Sequence, residues 1–394
     1  MTLARTRVLN ALGLAAVTAE VAARALSPRD GTLRPVAVEA GSYFSPQEIG
    51  RARRYARPQR MLGLAAGAAE TLAIVGLARR PPRRDSIALA AARLSLVGTV
   101  APLPLRAVMR ERARRAGLVT QSWGGWATDL AKSTAISTVA ASALGAGAGA
   151  LGRRFGARWW LPAAGAGVAL SAGLAVVAPV LLDPVFNRFT PLPHGETRDD
   201  VLALAAAAGV QVGEVFSVDA SRRTTMANAY VGGLGPTKRV VLFDTLLEAF
   251  TRDETRLVVA HELSHVRHRD VIRNLAFAAL IAPATLRAGA AFAPGPPTAR
   301  TLPVLTLGLG VAALPASVAA ARMSRRMENR ADTYSLRLTD APEPFISFER
   351  KIVVRDLADP QPPRLLRALL ATHPSTVERI GIARAYEAQR GGRG

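Results

Sequence analysis

Seven long apolar runs constrain this chain more than any other feature of its sequence. They lie at 8–26, 61–78, 87–108, 134–151, 159–182, 274–293 and 302–321. About 20 mostly apolar residues are enough for a helix to cross the hydrocarbon core of a bilayer. The 394 residues are also 49% hydrophobic and only 20% charged, which is too apolar for an ordinary soluble chain. The sequence therefore predicts a multi-pass α-helical membrane protein with about seven spans. The lipid bilayer is then one of its partners.

Charged residues interrupt some of these runs. The first run follows a basic start, as a signal peptide would, but Glu20 and Arg24 interrupt it and no clean cleavage site follows. We therefore interpret it as a retained span. Glu70 and Arg287 are costly in hydrocarbon, so we expect them to face protein or a wet cavity. Snorkelling from the helix end is the alternative for Arg287.

The chain is strongly basic, with a formal net charge of +22. The basic residues form short clusters between apolar runs, which favours contact with lipid headgroups and argues against a nucleic-acid partner. Residues 28–60 and 106–133 are the richest in Lys and Arg, so the positive-inside rule predicts that they are cytoplasmic. The polar segments 184–270 and 323–394 are then also cytoplasmic, in a protein of the cell membrane. The oligomeric state stays open.

The two polar segments flank the last two apolar runs and hold all five His residues. A membrane hairpin between the segments would bring both to the same side of the bilayer, where they could form one site. We therefore predict a membrane region with about five spans, the first part of a polar domain, two further spans and the second part of that domain. These four pieces are residues 1–183, 184–273, 274–322 and 323–394.

The clearest motif reads H-E-L-S-H from His261 to His265. The chain has no Cys, so a metal site must be built from His and carboxylate side chains. On a helix, His261 and His265 lie one turn apart on one face and can reach one zinc ion, with Glu262 beside them as a base. A T-x-x-E capping box at Thr251 and Glu254 predicts that helix. Two incidental histidines on a solvated helix face are the weaker interpretation.

A catalytic zinc ion usually has three protein ligands, so the motif needs a third. His268 shares the broad face of the helix, but one rigid helix cannot easily aim three imidazoles at one point. We expect it to be a surface or supporting residue. Glu328 lies where the last run leaves the membrane, with Asp332 four residues further along. One carboxylate can bind zinc while the other accepts the N–H of a ligating imidazole. Salt bridges to neighbouring arginines are the alternative for both.

These motifs together resemble the zinc metallopeptidases of family M48, whose third ligand is the Glu of an E-x-x-A-D sequence. Here that sequence lies within S-R-R-M-E-N-R-A-D at 324–332. The stretches F-N-R-F-T-P-L, S-R-R, N-A-Y and K-R-V-V-L-F-D-T-L-L, at 186–192, 221–223, 228–230 and 238–247, resemble its Ste24-type CAAX prenyl protease branch. The resemblance implies seven helices with a cytoplasmic gluzincin-type α+β metallopeptidase domain and one Zn²⁺ per chain.

The resemblance also implies residue roles. His261, His265 and Glu328 would bind the zinc ion and Glu262 would be the general base. Asp332 would orient an imidazole. Two further catalytic candidates, Asn228 and His373, match family positions that steady the peptide and its oxyanion. Considered alone, an Asn near a turn is usually structural and a lone His usually lies on the surface.

We therefore predict a zinc-dependent integral-membrane endopeptidase acting on membrane-associated or C-terminally lipidated polypeptides. We expect the strand at Arg239–Phe243 to pair with an extended substrate as an added edge strand.

The Ala- and Arg-rich composition suggests a bacterial source, where prenylated substrates need not exist. An HtpX-type protease for membrane-protein quality control is therefore an alternative. A signal transducer with a peptidase-like domain is another, which an intact Glu262 disfavours. A transporter would need polar sites near the bilayer midplane, and Glu70 alone qualifies.

Overall fold

The computed structural model describes residues 2–81, 85–233 and 238–392, so the predicted domain limits at residues 1 and 394 lie outside the described residues. Helices dominate these ranges. The first group of elements is α1 (Thr2–Leu26), α2 (Pro46–Arg79), α3 (Ile87–Val100), α4 (Leu103–Arg115), α5 (Trp123–Phe155), α6 (Trp160–Leu181) and α7 (Asp183–Phe186). The second is β1 (Phe189–Pro191), α8 (Glu196–Ala207), β2 (Glu214–Val218), β3 (Ala229–Gly232), β4 (Arg239–Phe243), α9 (Asp244–Ala249) and α10 (Arg252–Arg267). The last is α11 (Asp270–Ala290), α12 (Leu302–Thr339), α13 (Pro342–Asp356), α14 (Arg364–Leu370) and α15 (Thr376–Gly391).

Seven helical stretches in the described ranges are long and apolar enough to cross a membrane. They are α1, α2, α3 joined to α4, α5, α6, α11 and α12, which confirms the predicted seven-span membrane protein. The third stretch is interrupted at Ala101 and Pro102, and Pro102 lacks the N–H that an uninterrupted helix would use. The seventh, α12, has 38 residues and continues well past the predicted apolar run to Thr339. One helix is therefore long enough to join the membrane region to the polar region.

Small residues let the first span pack tightly against the last two. Ala19 and Ala23 of α1 share one buried cluster with Phe277 of α11 and Met323 of α12. α11 and α12 also approach each other closely, because a Cβ added at Gly289 would lie 2.3 Å from the Leu309 side chain. Small residues at helix interfaces allow this approach, which supplies packing energy in lipid. These three helices form one tightly packed unit.

The polar region contains a four-stranded sheet in the order β1-β2-β4-β3. β2 and β4 are parallel, whereas β1 and β3 join as antiparallel strands. The prediction that Arg239–Phe243 offers a free edge to a substrate is wrong, because β2 and β3 occupy both sides of this strand. Its buried pattern of Val240, Val241 and Leu242 fits a central strand. Within the described ranges, the edge strand that begins in the N-A-Y stretch is β3.

Two hydrophobic cores bring together residues from both polar segments. In the first, Val240 of β4 and Leu263 of α10 lie with Phe348 of α13. In the second, Leu257 of α10 lies with Ile380 of α15. Because α10 contributes to both cores, its position relative to α12, α13 and α15 is fixed by apolar packing.

Candidate metal centre and active site

The helix that carries the H-E-L-S-H motif is α10. Its capping box is formed as predicted: the Glu254 carboxylate accepts the Thr251 N–H at 2.8 Å, and the Thr251 hydroxyl accepts the Glu254 N–H at 3.3 Å. Leu257 and Leu263 are buried on the core side. His261 and His265 are half-buried, and their side chains contact Glu328 of α12.

Three side chains converge between α10 and α12. His261 Nε2 lies 3.2 Å from His265 Nε2. The two carboxylate oxygens of Glu328 lie 3.2 Å from His261 Nε2 and 3.6 Å from His265 Nε2. Together they form a group whose three donor atoms all lie within 4.8 Å of one another. The geometry therefore brings together the three residues that the sequence selected.

Each histidine contacts a carboxylate on its other ring nitrogen. His261 Nδ1 lies 2.9 Å from Asp332 Oδ1, the arrangement expected from the sequence. His265 Nδ1 lies 2.9 Å from Asp270 Oδ2, at the first residue of α11. Asp270 was not among the residues predicted from the sequence. The only signal that could have found it is its position five residues after His265, just past the end of the motif helix.

The chemistry of these donors fits a metal ion. With both Nδ1 atoms facing carboxylates, each imidazole carries its proton on Nδ1 and directs the lone pair of Nε2 into the group. Two lone pairs 3.2 Å apart repel each other unless a cation lies between them. Glu328 Oε2 is buried and accepts no hydrogen bond from the residues that the structure describes. A cation would satisfy all three atoms, so the residues present fit a metal ion.

Glu262 and the two weaker catalytic candidates line one cavity of about 200 Å³ beside this group. Burial raises the pKa of the Glu262 carboxyl above its ordinary value. His373 Nε2 lies 3.3 Å from Glu328 Oε2, although most of the His373 side chain is exposed. Asn228 immediately precedes β3, and its backbone carbonyl accepts the Phe243 N–H at 3.0 Å. The structure thus brings Glu262, Asn228 and His373 to the same cavity.

A second residue missed by the sequence analysis is Arg379 of α15. It donates two hydrogen bonds to Asp332, at 2.9 and 2.6 Å, and pairs with Glu349 at 2.5 Å. Asp332 and Glu349 are both buried. No sequence pattern identifies this chain of contacts, because its members come from three separate helices.

His268 lies outside the group of converging donors. Its Nδ1 lies 2.8 Å from the Ser264 carbonyl oxygen, and its ring meets Tyr334 edge-on at 5.5 Å. The residue follows the last turn of α10, where it caps the helix. This agrees with a supporting position.

An H-E-x-x-H helix with a carboxylate from a second helix, at one end of a seven-span bundle, is the arrangement of an integral-membrane metallopeptidase. The profile of peptidase family M48 matches residues 191–387, and the chain belongs to that family of metal-dependent peptidases. A second profile, the CAAX prenyl protease N-terminal region with five membrane helices, matches residues 110–188.

Individual relatives give a consistent result. The uncharacterized metalloprotease YhfN of Bacillus subtilis (strain 168) is 31% identical over 307 residues, which cover 75% of this chain and 72% of that protein. CAAX prenyl protease 1 of Saccharomyces cerevisiae is 39% identical over 105 residues, only 26% of this chain and 23% of that protein. The Caenorhabditis elegans homologue is 26% identical, covering 55% of this chain and 58% of that protein. The chain thus aligns with less than two thirds of these two CAAX relatives.

The fold has a solved counterpart. The crystal structure of S. mikatae Ste24p superposes with a TM-score of 0.76, covering 96% of this chain and 98% of that one at 19% identity. At that identity the match concerns the fold. The two profiles, together with the seven spans, show a multi-pass membrane metalloendopeptidase of the Ste24-type branch.

Proposed function

We propose that this chain is a zinc-dependent endopeptidase of the cell membrane that cuts membrane-associated or C-terminally lipidated polypeptides. The convergence of His261, His265 and Glu328 at one end of the membrane bundle carries the proposal. The lipidated class of substrate is suggested by the relatives named CAAX prenyl protease.

The proposed roles follow from the contacts. His261, His265 and Glu328 would hold the zinc ion, while Asp332 orients His261 through its Nδ1–H. When bound, zinc would supply the Lewis-acid chemistry of amide hydrolysis. Glu262 is the general base: its raised pKa suits a group that accepts a proton from the attacking water and returns it to the leaving amine. Asn228 and His373 would then donate hydrogen bonds to the oxyanion from within the same cavity.

The edge of β3 is the proposed binding site for the substrate backbone. Asn228 and Tyr230 direct their backbone groups towards β4, since Asn228 accepts the Phe243 N–H and Tyr230 pairs with Val241. The alternation of antiparallel pairing then directs the N–H and C=O of Val231 away from the sheet. An extended peptide could pair there, three residues from Asn228 and next to the cavity.

We also propose that residues 1–183 and 274–322 form the membrane region, with 184–273 and 323–394 forming one peptidase domain on the cytoplasmic side. The two shared cores and the continuous helix α12 support this division. Tags near residue 298 and at the C-terminus should then lie on opposite sides of the membrane. A protease-protection assay that finds both tags on one side would contradict the proposed topology.

The substrate proposal is tested by comparing one peptide with and without a C-terminal lipid. Purified protein in lipid nanodiscs should cut the lipidated peptide faster, because the bilayer concentrates it beside the cavity. The Glu262→Gln variant is the control for contaminating proteases. Equal rates for the two peptides, or faster cleavage of unfolded casein, would contradict the lipidated-substrate proposal and favour quality control.

A further inference from the structure

A second cavity opens between α1, α6 and α11, with a volume of about 570 Å³. Two arginines line it. Arg287 lies 17 residues along α11 from Asp270, about 25 Å at the helical rise. Arg7 lies 19 residues before the end of α1, about 28 Å from Leu26. These distances approach the thickness of the hydrocarbon core, so this cavity lies at the bilayer surface opposite the metal centre.

The two arginines have no acidic partner in the part of the chain that the structure describes. No carboxylate lines the cavity. The Arg287 guanidinium lies 5.6 Å from the centre of the Trp160 ring, a contact that leaves its charge unbalanced. The surrounding segments cannot supply an acid either, since Asp and Glu are absent from residues 1–19, 130–182 and 271–327. Unbalanced guanidinium charge beside hydrocarbon is costly, so an external anion is favoured here.

The wall of this cavity is held by close packing. Trp159 is buried and donates its indole N–H to the Gly295 carbonyl at 3.2 Å, which fixes the loop after α11. A Cβ added at Gly152 would lie 2.8 Å from Pro297 of the same loop. The cavity is therefore formed before a ligand arrives, which lowers the entropic cost of binding.

Apart from the amide of Asn10, the side chains beside the arginines are mostly apolar. They include Ala11 and Leu14 of α1 and Ala290 of α11, and the Leu14 side chain is exposed. A ligand that fits both parts has a negative phosphate and a hydrocarbon chain. We propose that this cavity binds the phosphate of an anionic membrane phospholipid, in the leaflet opposite the metal centre. An anionic headgroup is favoured over a zwitterionic one because no carboxylate is present to hold an amine.

The test measures lipid binding to the purified full-length protein by native mass spectrometry from detergent. Phosphatidylglycerol should bind more tightly than phosphatidylcholine, and inorganic phosphate should not compete at similar concentrations. Arg7→Gln and Arg287→Gln should each weaken phosphatidylglycerol binding about fivefold, the equivalent of roughly 1 kcal/mol per cation. Arg287→Lys should keep most of the affinity, since its charge is retained.

The matched control is Arg300→Gln, which removes the same charge from the same end of the molecule but lies outside the cavity lining. If this variant weakens binding as much as the other two, the effect is a diffuse surface charge and the proposal is wrong. Competition by inorganic phosphate at equal concentration would assign the cavity to small anions instead. If Arg287→Gln fails to fold, the test depends on Arg7→Gln, which replaces an exposed side chain. Unchanged affinity of Arg7→Gln for phosphatidylglycerol would refute the proposal.

Discussion

Replacing Asp270 by Asn should weaken the affinity for zinc while leaving all three proposed ligands in place. The His265 Nδ1–H lies 2.9 Å from the Asp270 carboxylate, which fixes the ring and makes its Nε2 a better donor to the metal. An Asn oxygen can still accept this hydrogen bond but lacks the charge. Loss of such a supporting carboxylate typically lowers metal affinity 10- to 100-fold, roughly 1.4 to 2.7 kcal/mol. Competition with a chromophoric chelator measures this change directly.

A second contact complicates this variant, because Asp270 also pairs with the buried Arg330. An unpaired buried charge can cost about 3–5 kcal/mol of folding stability. The double variant Asp270→Asn with Arg330→Gln separates the two effects: it should recover thermal stability but not zinc affinity. Asp253→Asn is the matched control, because this exposed Asp lies on α10 away from the metal centre. Unchanged zinc affinity in a folded Asp270→Asn protein would refute the reasoning.

Three further predictions concern the ligands, the base and the sheet edge. Glu328→Ala should lose bound zinc, whereas His268→Ala should retain it, because only the former belongs to the converging group; metal analysis giving the reverse order would refute the ligand set. Glu262→Gln should bind zinc normally, and its peptidase rate should fall at least about 100-fold. Loss of both zinc and activity would show that Glu262 has a structural role instead. Val231→Pro should raise the KM for the peptide substrate while the zinc content stays normal, because proline removes the backbone N–H. Val231→Ala keeps the N–H and should leave KM unchanged. Equal KM values for the two variants would show that the substrate does not bind at the edge of β3.

Local sequence patterns predicted the features that depend on local physics. A membrane span needs only a sufficient length of apolar residues, so all seven were found, and only the ends and the interruption at Pro102 differ. The capping box at Thr251 also depends on residues within one turn. The convergence of His261, His265 and Glu328 was predictable because two of them share one helix. The third follows the last apolar run with Asp332 one turn further along, and the resemblance implies the same residue.

The features that were missed depend on contacts between distant elements. Arg379 reaches Asp332 from α15, 47 residues further along the chain, and nothing near either residue indicates the pairing. The strands that pair with Arg239–Phe243 could not be predicted from the sequence either. An alternating-to-apolar pattern suits both edge and central strands, and only the order of the sheet decides between them.

The metal centre is tied to the membrane region through the same two helices that carry its carboxylates. Glu328 lies seven residues beyond the end of the apolar run at 321, roughly 10 Å along α12 at the helical rise. Asp270 is the first residue of α11, which itself continues into the bilayer. Because both helices are unbroken between these carboxylates and the membrane, the site cannot move away from the bilayer without distorting its own geometry. Under the proposed function, the substrate would therefore come to the membrane surface, and polypeptides already anchored there would have the advantage.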